Sequence, residues 1–72
     1  MNDFDEYEDL ILHEFRRRDV RAGRGLGENV LLNISPADRR DAAVESLITK
    51  GILNRNKVRL ILTDSGERAI YT

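Results

Sequence analysis

The side chains with the widest chemical reach in this chain are cations. Arg39 lies in a stretch that reads as a helix, and Arg55 and Lys57 lie in one that reads as a hairpin. A guanidinium is a planar fork of donors that fits a phosphate, a carboxylate or the edge of a guanine. The basic run from Arg16 to Arg24 offers the same chemistry towards a nucleic-acid backbone, or reads as a flexible solvated loop. His13 is the single histidine; it projects opposite an apolar stripe and reads as a solvated surface imidazole. The chain has no cysteine, and no Glu or Asp cluster stands at the spacing a metal site with His13 would need. The Gly-x-Gly at Gly23 to Gly25 belongs to no GxxxxGK(S/T) pattern and follows no apolar strand, so it is not a phosphate loop. No nucleophile is paired with a base. The expectation is a protein that is not an enzyme, with no catalytic residues, no cofactor and no metal.

Such cations need a scaffold. With 72 residues the chain is expected to form a single domain, 1–72, around a modest core. No apolar run is long enough to span a bilayer or to serve as a signal peptide. A soluble, cytoplasmic protein with no membrane partner is therefore expected. The formal net charge is -1, but it is unevenly spread. Residues 1–14 hold Asp3, Asp5, Glu6, Glu8, Asp9 and Glu14 and no Lys or Arg. All twelve Lys and Arg lie from Arg16 onward, against seven acids, a net of +5. The early acids suit a helix start. An acidic first helix on a basic remainder predicts two electrically distinct sides.

The best-marked element is a helix over 36–50. Ser35 is its expected N-cap and Pro36 its first residue, with Asp38 three positions after the cap. Gly51 supplies the left-handed residue that ends it. At about 100° per residue, Ala37, Val44, Leu47 and Ile48 share the buried side. Arg39, Ala42, Ala43, Ser46 and Lys50 share the outward side. Small residues flanked by cations can approach another surface closely, a DNA groove included.

The other elements frame that helix. Phe4, Tyr7, Ile11 and Phe15 form the stripe of a helix from about Phe4 to Arg17, with Glu14 and Arg18 as an i, i+4 pair. Leu10 and Leu12 broaden its apolar face. That face suits a deep seat in the monomer and leaves a homodimer through the first helix open. Arg16 to Gly27 reads as a basic loop with a short strand near Val20–Ala22. Glu28 to Leu32 allows one or two helical turns, and Asn33 and Ile34 then lead into the long helix. This is helix-turn-helix grammar. Beyond Gly51, Ile52-Leu53-Asn54 starts a strand and Asn54 to Lys57 makes a polar tip. Val58, Leu60 and Leu62 mark the buried face of a second strand. Thr63 or Asp64 caps a last helix, Ser65 to Tyr71, which touches the core through Ala69 and Ile70. The expected core is Phe4, Ile11, Phe15, Leu32, Val44, Leu47, Ile48, Leu60 and Leu62.

The residues Leu47-Ile48-Thr49-Lys50-Gly51-Ile52-Leu53, then Arg55, then Leu60-Ile61-Leu62-Thr63-Asp64-Ser65-Gly66, resemble a segment of known regulators. That segment reads L-x-x-x-G-L-hydrophobic, then hydrophobic-L-T-x-x-G, in the multiple-antibiotic-resistance-regulator superfamily of winged-helix transcriptional regulators. The resemblance covers Ile34 to Ile70 and rests most on Leu47 with Gly51 and on Leu62-Thr63-x-x-Gly66. It implies an α+β fold, a winged helix-turn-helix of three helices with a short two-stranded wing and a short C-terminal helix. It also implies a function. The long helix 36–50 would enter the major groove of double-stranded DNA and the wing, 54–57, would reach the backbone. The implied DNA-binding residues are Arg39, Ala42, Ala43, Ser46 and Lys50 on the helix and Arg55 and Lys57 on the wing.

Two functions follow as expectations. One is a small DNA-binding protein acting in transcription regulation, in which Arg39 reads a base. The alternative is a winged-helix protein–protein interaction module without DNA binding. The acidic first helix, the near-neutral balance and the carboxylates Asp38 and Asp41 on the long helix suit that protein partner.

Overall fold

The structure, a computed structural model, describes residues 4–71. Asp3, one of the expected helix-start acids, lies outside them. The described residues form an α+β arrangement: α1 (Glu6–Arg17), β1 (Gly25–Gly27), a 3-10 helix (Glu28–Leu31), α2 (Ala37–Thr49), β2 (Leu53–Asn56), β3 (Arg59–Leu62) and α3 (Asp64–Tyr71). The sheet has three antiparallel strands in the order β1-β3-β2, where a two-stranded wing was expected. The strand outside the hairpin is β1, at Gly25–Gly27, where a short strand near Val20–Ala22 was expected. Its two glycines have no strand propensity of their own. What makes it a strand is β3, on which Gly25 faces Ile61 and Leu26 faces Leu60. A Cβ on Gly25 would stand 2.2 Å from the Leu60 carbonyl oxygen, so only glycine admits that approach.

Both long helices end in the same way. The Ile52 N–H donates to the Leu47 carbonyl and the Gly51 N–H to that of Ile48, both at 3.0 Å, with Gly51 at φ 77. In α1 the Val20 N–H donates to Phe15 and the Asp19 N–H to Arg16, again at 3.0 Å, with Asp19 at φ 53. Both are Schellman closures. The second carries Val20 inward to a buried position beside Phe15, so Val20 is a helix-end residue rather than part of a strand.

The helix starts differ from each other. Asp5 and Glu8 form a complete capping box on α1: the Asp5 carboxylate accepts from the Glu8 N–H at 2.8 Å, and Glu8 accepts from the Asp5 N–H at 2.9 Å. Ser35 does not cap α2. Pro36 is the flanking residue, in extended geometry (ψ 159), and its carbonyl accepts from the Arg40 N–H at 3.1 Å. Ser35 is thus one residue too far out to reach the first turn. At α3 the Thr63 hydroxyl oxygen accepts from the Gly66 N–H at 2.9 Å, as expected of a cap.

Ile11, Phe15, Leu31, Leu47, Leu53, Leu60 and Leu62 are essentially inaccessible and form the centre of the core, with Val44 beside them. Phe4 and Ile48 pack at its margin. The apolar face of α1 is largely used inside the fold, Leu12 included, while Leu10 stays exposed. Three expected core contacts are corrected. Leu32 is 65% exposed, because the 3-10 turn closes at Leu31 and sends Leu31 inward instead. Val58 is 71% exposed, because β2 runs on through Asn56 and only Lys57 and Val58 form the turn. Ala69 is exposed; Ile70 alone of that pair is buried.

Candidate nucleic-acid interface

The site begins with how α2 is rotated. Ala43, Val44 and Leu47 are its buried residues. The face exposed along it is Ala37, Asp38, Arg39, Asp41, Ala42, Glu45 and Thr49. The helix is therefore turned from its expected orientation by less than one residue step of about 100°. The consequence for the expected base-facing residues is large. Ala43 is 4% exposed and belongs to the core, not the surface. Alanine carries little apolar weight, so a wheel cannot assign it a side. Ala37, expected inside, is exposed.

Ser46 and Lys50 turn towards α1. The Lys50 ammonium lies 2.9 and 3.0 Å from the two oxygens of Glu8, and 5.1 Å from the centre of the Phe4 ring. The Ser46 hydroxyl also hydrogen-bonds Glu8. Glu8 is 2% exposed. Burial pushes its carboxyl pKa up, but the hydrogen bonds from Lys50, the Asp5 N–H and Ser46 outweigh that and hold it below the ordinary carboxylate value. Lys50 is thus the partner of a buried acid and a tie between α1 and α2.

Arg55 is also tied down. Cross-strand partners share a face of a sheet. Arg55 pairs with the buried Leu60, so it projects on the side that packs against α2. There it donates to Glu45 at 2.7 Å and to Glu28 at 3.2 Å. The Glu45 hydrogen bond, with the charge of Glu28 beside it, raises its pKa above the ordinary guanidinium value. Arg40 is held likewise, by the Ile34 carbonyl at 3.3 Å and Asp41 at 3.5 Å. Of the seven expected contact residues, Arg39, Ala42 and Lys57 are exposed and make no side-chain hydrogen bond or ion pair to another described residue.

The opposite face of the sheet has a different chemistry. Arg59 faces Asn56 and Gly27, and Ile61 faces Asn54 and Gly25. This outer face therefore carries Asn54, Asn56, Arg59 and Ile61 over two glycines, and no carboxylate. Arg59 donates to the Gly25 carbonyl at 2.9 Å and so lies along the sheet, with its charge unpaired among the described residues. Lys57 stands at the adjoining turn with φ 58. Arg59 was not among the expected contacts, whereas Asn54 and Asn56 lie in the expected wing, 54–57. The signal for Arg59 was strand parity: residues flanking Leu60 must point away from the core.

The expected division into an acidic and a basic side does not hold at α1, where Glu8 meets Lys50 and Glu14 meets Arg18. Charges from the two parts of the chain interleave. Among the described residues, no helix is long and apolar enough to cross a membrane, and no group of three or more His, Asp or Glu could hold a metal ion. No protein-family model matches the chain, no curated protein does, and no solved structure does.

Proposed function

We propose that the chain is a small winged helix-turn-helix domain that binds double-stranded DNA and acts in transcription regulation in the cytoplasm. The reading is supported by the order of elements, helix to helical turn to long helix to hairpin, together with the Leu47–Gly51 and Leu62-Thr63-x-x-Gly66 motifs. The observation that carries it is the outer sheet face, where Arg59 and the adjoining Lys57 stand among amides with no carboxylate. Phosphates are bound by such exposed cations and by amide donors, without regard to sequence. The long helix contributes less than the motif implies. Arg39 is the residue left to read a base there, as residues near the start of recognition helices do.

Fluorescence anisotropy with a labelled duplex at low salt tests this. Binding that weakens steeply as salt is raised is expected. No binding to any duplex at tens of micromolar, where nonspecific binders register, refutes it.

A second reading is favoured by one observation. The exposed face of α2 carries Asp38, Asp41 and Glu45 against the single cation Arg39. A face of that charge suits a protein partner better than phosphates, and a domain using it would be a winged-helix interaction module without DNA binding.

A further inference from the structure

The loop 18–24, which joins α1 to β1, is held in place from two sides. From α3, Glu67 accepts from the Ala22 N–H at 2.8 Å, and the Tyr71 hydroxyl donates to the Val20 carbonyl at 2.8 Å. The Arg21 guanidinium lies 3.9 Å from the centre of the Tyr71 ring. From the sheet, the Leu62 carbonyl accepts from the Gly23 N–H at 2.9 Å, and the Leu62 N–H donates to the Arg24 carbonyl at 2.8 Å. The backbone of Arg24 is thereby pinned to the end of β3. Most charges of the loop are engaged within the fold. Arg18 has Glu14, and Arg21 has Asp19 at 2.9 Å. Arg24 differs: it is exposed, and its side chain makes no hydrogen bond or ion pair to another described residue.

A second guanidinium comes to the same place. Arg59 donates to the Gly25 carbonyl at 2.9 Å. Gly25 directly follows Arg24, and consecutive Cα atoms stand about 3.8 Å apart, so the two arginines meet at one edge of the sheet. β1 is an edge strand, and Gly25 and Gly27 carry no side chain to keep a ligand off it. The acids nearest in the fold, Glu14, Asp19 and Glu67, are already bonded elsewhere. Two cations left without a carboxylate repel each other until an anion joins them. We propose that Arg24 and Arg59 together hold one phosphate group of a nucleic-acid backbone at the glycine edge of β1. Guanidinium forks match phosphate oxygens. The ties from α3 and β3 fix Arg24 before binding, so little ordering entropy opposes the contact. This site rests on the DNA-binding reading and adds to it a contact residue, Arg24, and a phosphate shared with Arg59.

Salt titrations of duplex binding by the whole chain test it. The unmodified protein is compared with Arg24→Ala, Arg24→Lys, Arg59→Ala, the double variant Arg24→Ala with Arg59→Ala, and Glu67→Ala. Arg24→Ala and Arg59→Ala should each weaken binding to all sequences and lower the slope of log affinity against log salt by about one, whereas Arg24→Lys should keep the slope. Because one phosphate is shared, the double variant should lose no more slope than either single one. Glu67→Ala removes a negative charge, which alone would strengthen binding; it should weaken binding instead, because Arg24 is no longer held. Arg24 lies in an exposed loop, so Arg24→Ala folds, with unchanged circular dichroism, even if Glu67→Ala does not. Salt-dependent binding whose slope Arg24→Ala leaves intact overturns this site and leaves the DNA-binding reading standing. A double variant that loses twice the slope assigns the arginines to separate phosphates and also overturns it, as does a folded Glu67→Ala that binds more tightly. No duplex binding by the unmodified chain overturns both the site and the reading beneath it.

Discussion

The exposed face of α2 and the outer face of the sheet lie on either side of one layer of leucines, and their charges obey opposite rules. Near α2 every cation but Arg39 has a fixed partner: Lys50 has Glu8, Arg55 has Glu45 and Glu28, and Arg40 has Asp41. On the outer sheet face Arg59 bonds only a neutral carbonyl, and in the adjoining turn Lys57 is held by no carboxylate among the described residues. The difference teaches that a cation in the sequence is not a cation offered to a partner. What decides is whether folding brings a carboxylate within reach. Alternation along a strand separates Arg59 from the acids of α2 as surely as it joins Arg55 to them.

The largest effect is expected where both faces share a floor. Leu47 is inaccessible and lies at the Schellman end of α2. Leu47→Ala should cost about 2–5 kcal/mol and unfold much of a domain this small. An unchanged melting temperature would show that the two faces do not share this support. Next comes Arg39, the exception on the α2 side. If it reads a guanine, Arg39→Ala should reduce discrimination between duplexes by about 1–3 kcal/mol and leave nonspecific binding nearly intact. Equal loss on all sequences would make it one more phosphate contact and blur the contrast between the faces.

A smaller effect concerns the staple itself. Because the Glu8 carboxyl titrates lower in the folded chain than in the unfolded one, its contribution to stability is complete above the ordinary carboxylate range. It is lost as pH falls through the lowered folded value. Glu8→Gln should destabilise at neutral pH by about 1–3 kcal/mol and flatten the fall in stability on acidification. An acid limb of the same steepness in the variant would remove Glu8–Lys50 as a tie. The smallest effect is at the helix ends. Asp19→Gly should change stability by about 1 kcal/mol or less, while Gly51→Ala should cost about 1–2 kcal/mol, as chemical denaturation would measure.

Much of the fold was legible because certain residues meet demands of their own. Gly51 takes a left-handed position. Thr63 caps α3, and Gly66 is required because a Cβ there would stand 2.3 Å from the Ile52 carbonyl oxygen. The stripe through Ile11 and Phe15 carries enough apolar weight to fix the buried face of α1. What was illegible depends on partners distant in sequence. β1 is a strand through its pairing with β3. Ala43 is inside because of how α1 lies on α2. Leu32 and Val58 are outside because elements end one residue earlier or later than their patterns imply. The candidate site suffered most, since Arg55 and Lys50 are cations whose partners, Glu45, Glu28 and Glu8, sequence alone did not bring to them.

The central claim is that the free cations of the sheet side, not the tethered ones beside α2, carry binding to DNA. The direct test is one salt titration of duplex binding by three proteins: the unmodified chain, Lys57→Ala and Arg55→Ala. The account predicts that Lys57→Ala weakens binding to all sequences alike and lowers the slope of log affinity against log salt by about one. It predicts that Arg55→Ala leaves that slope unchanged. The reverse pattern, with Arg55→Ala losing the slope and Lys57→Ala keeping it, would contradict it.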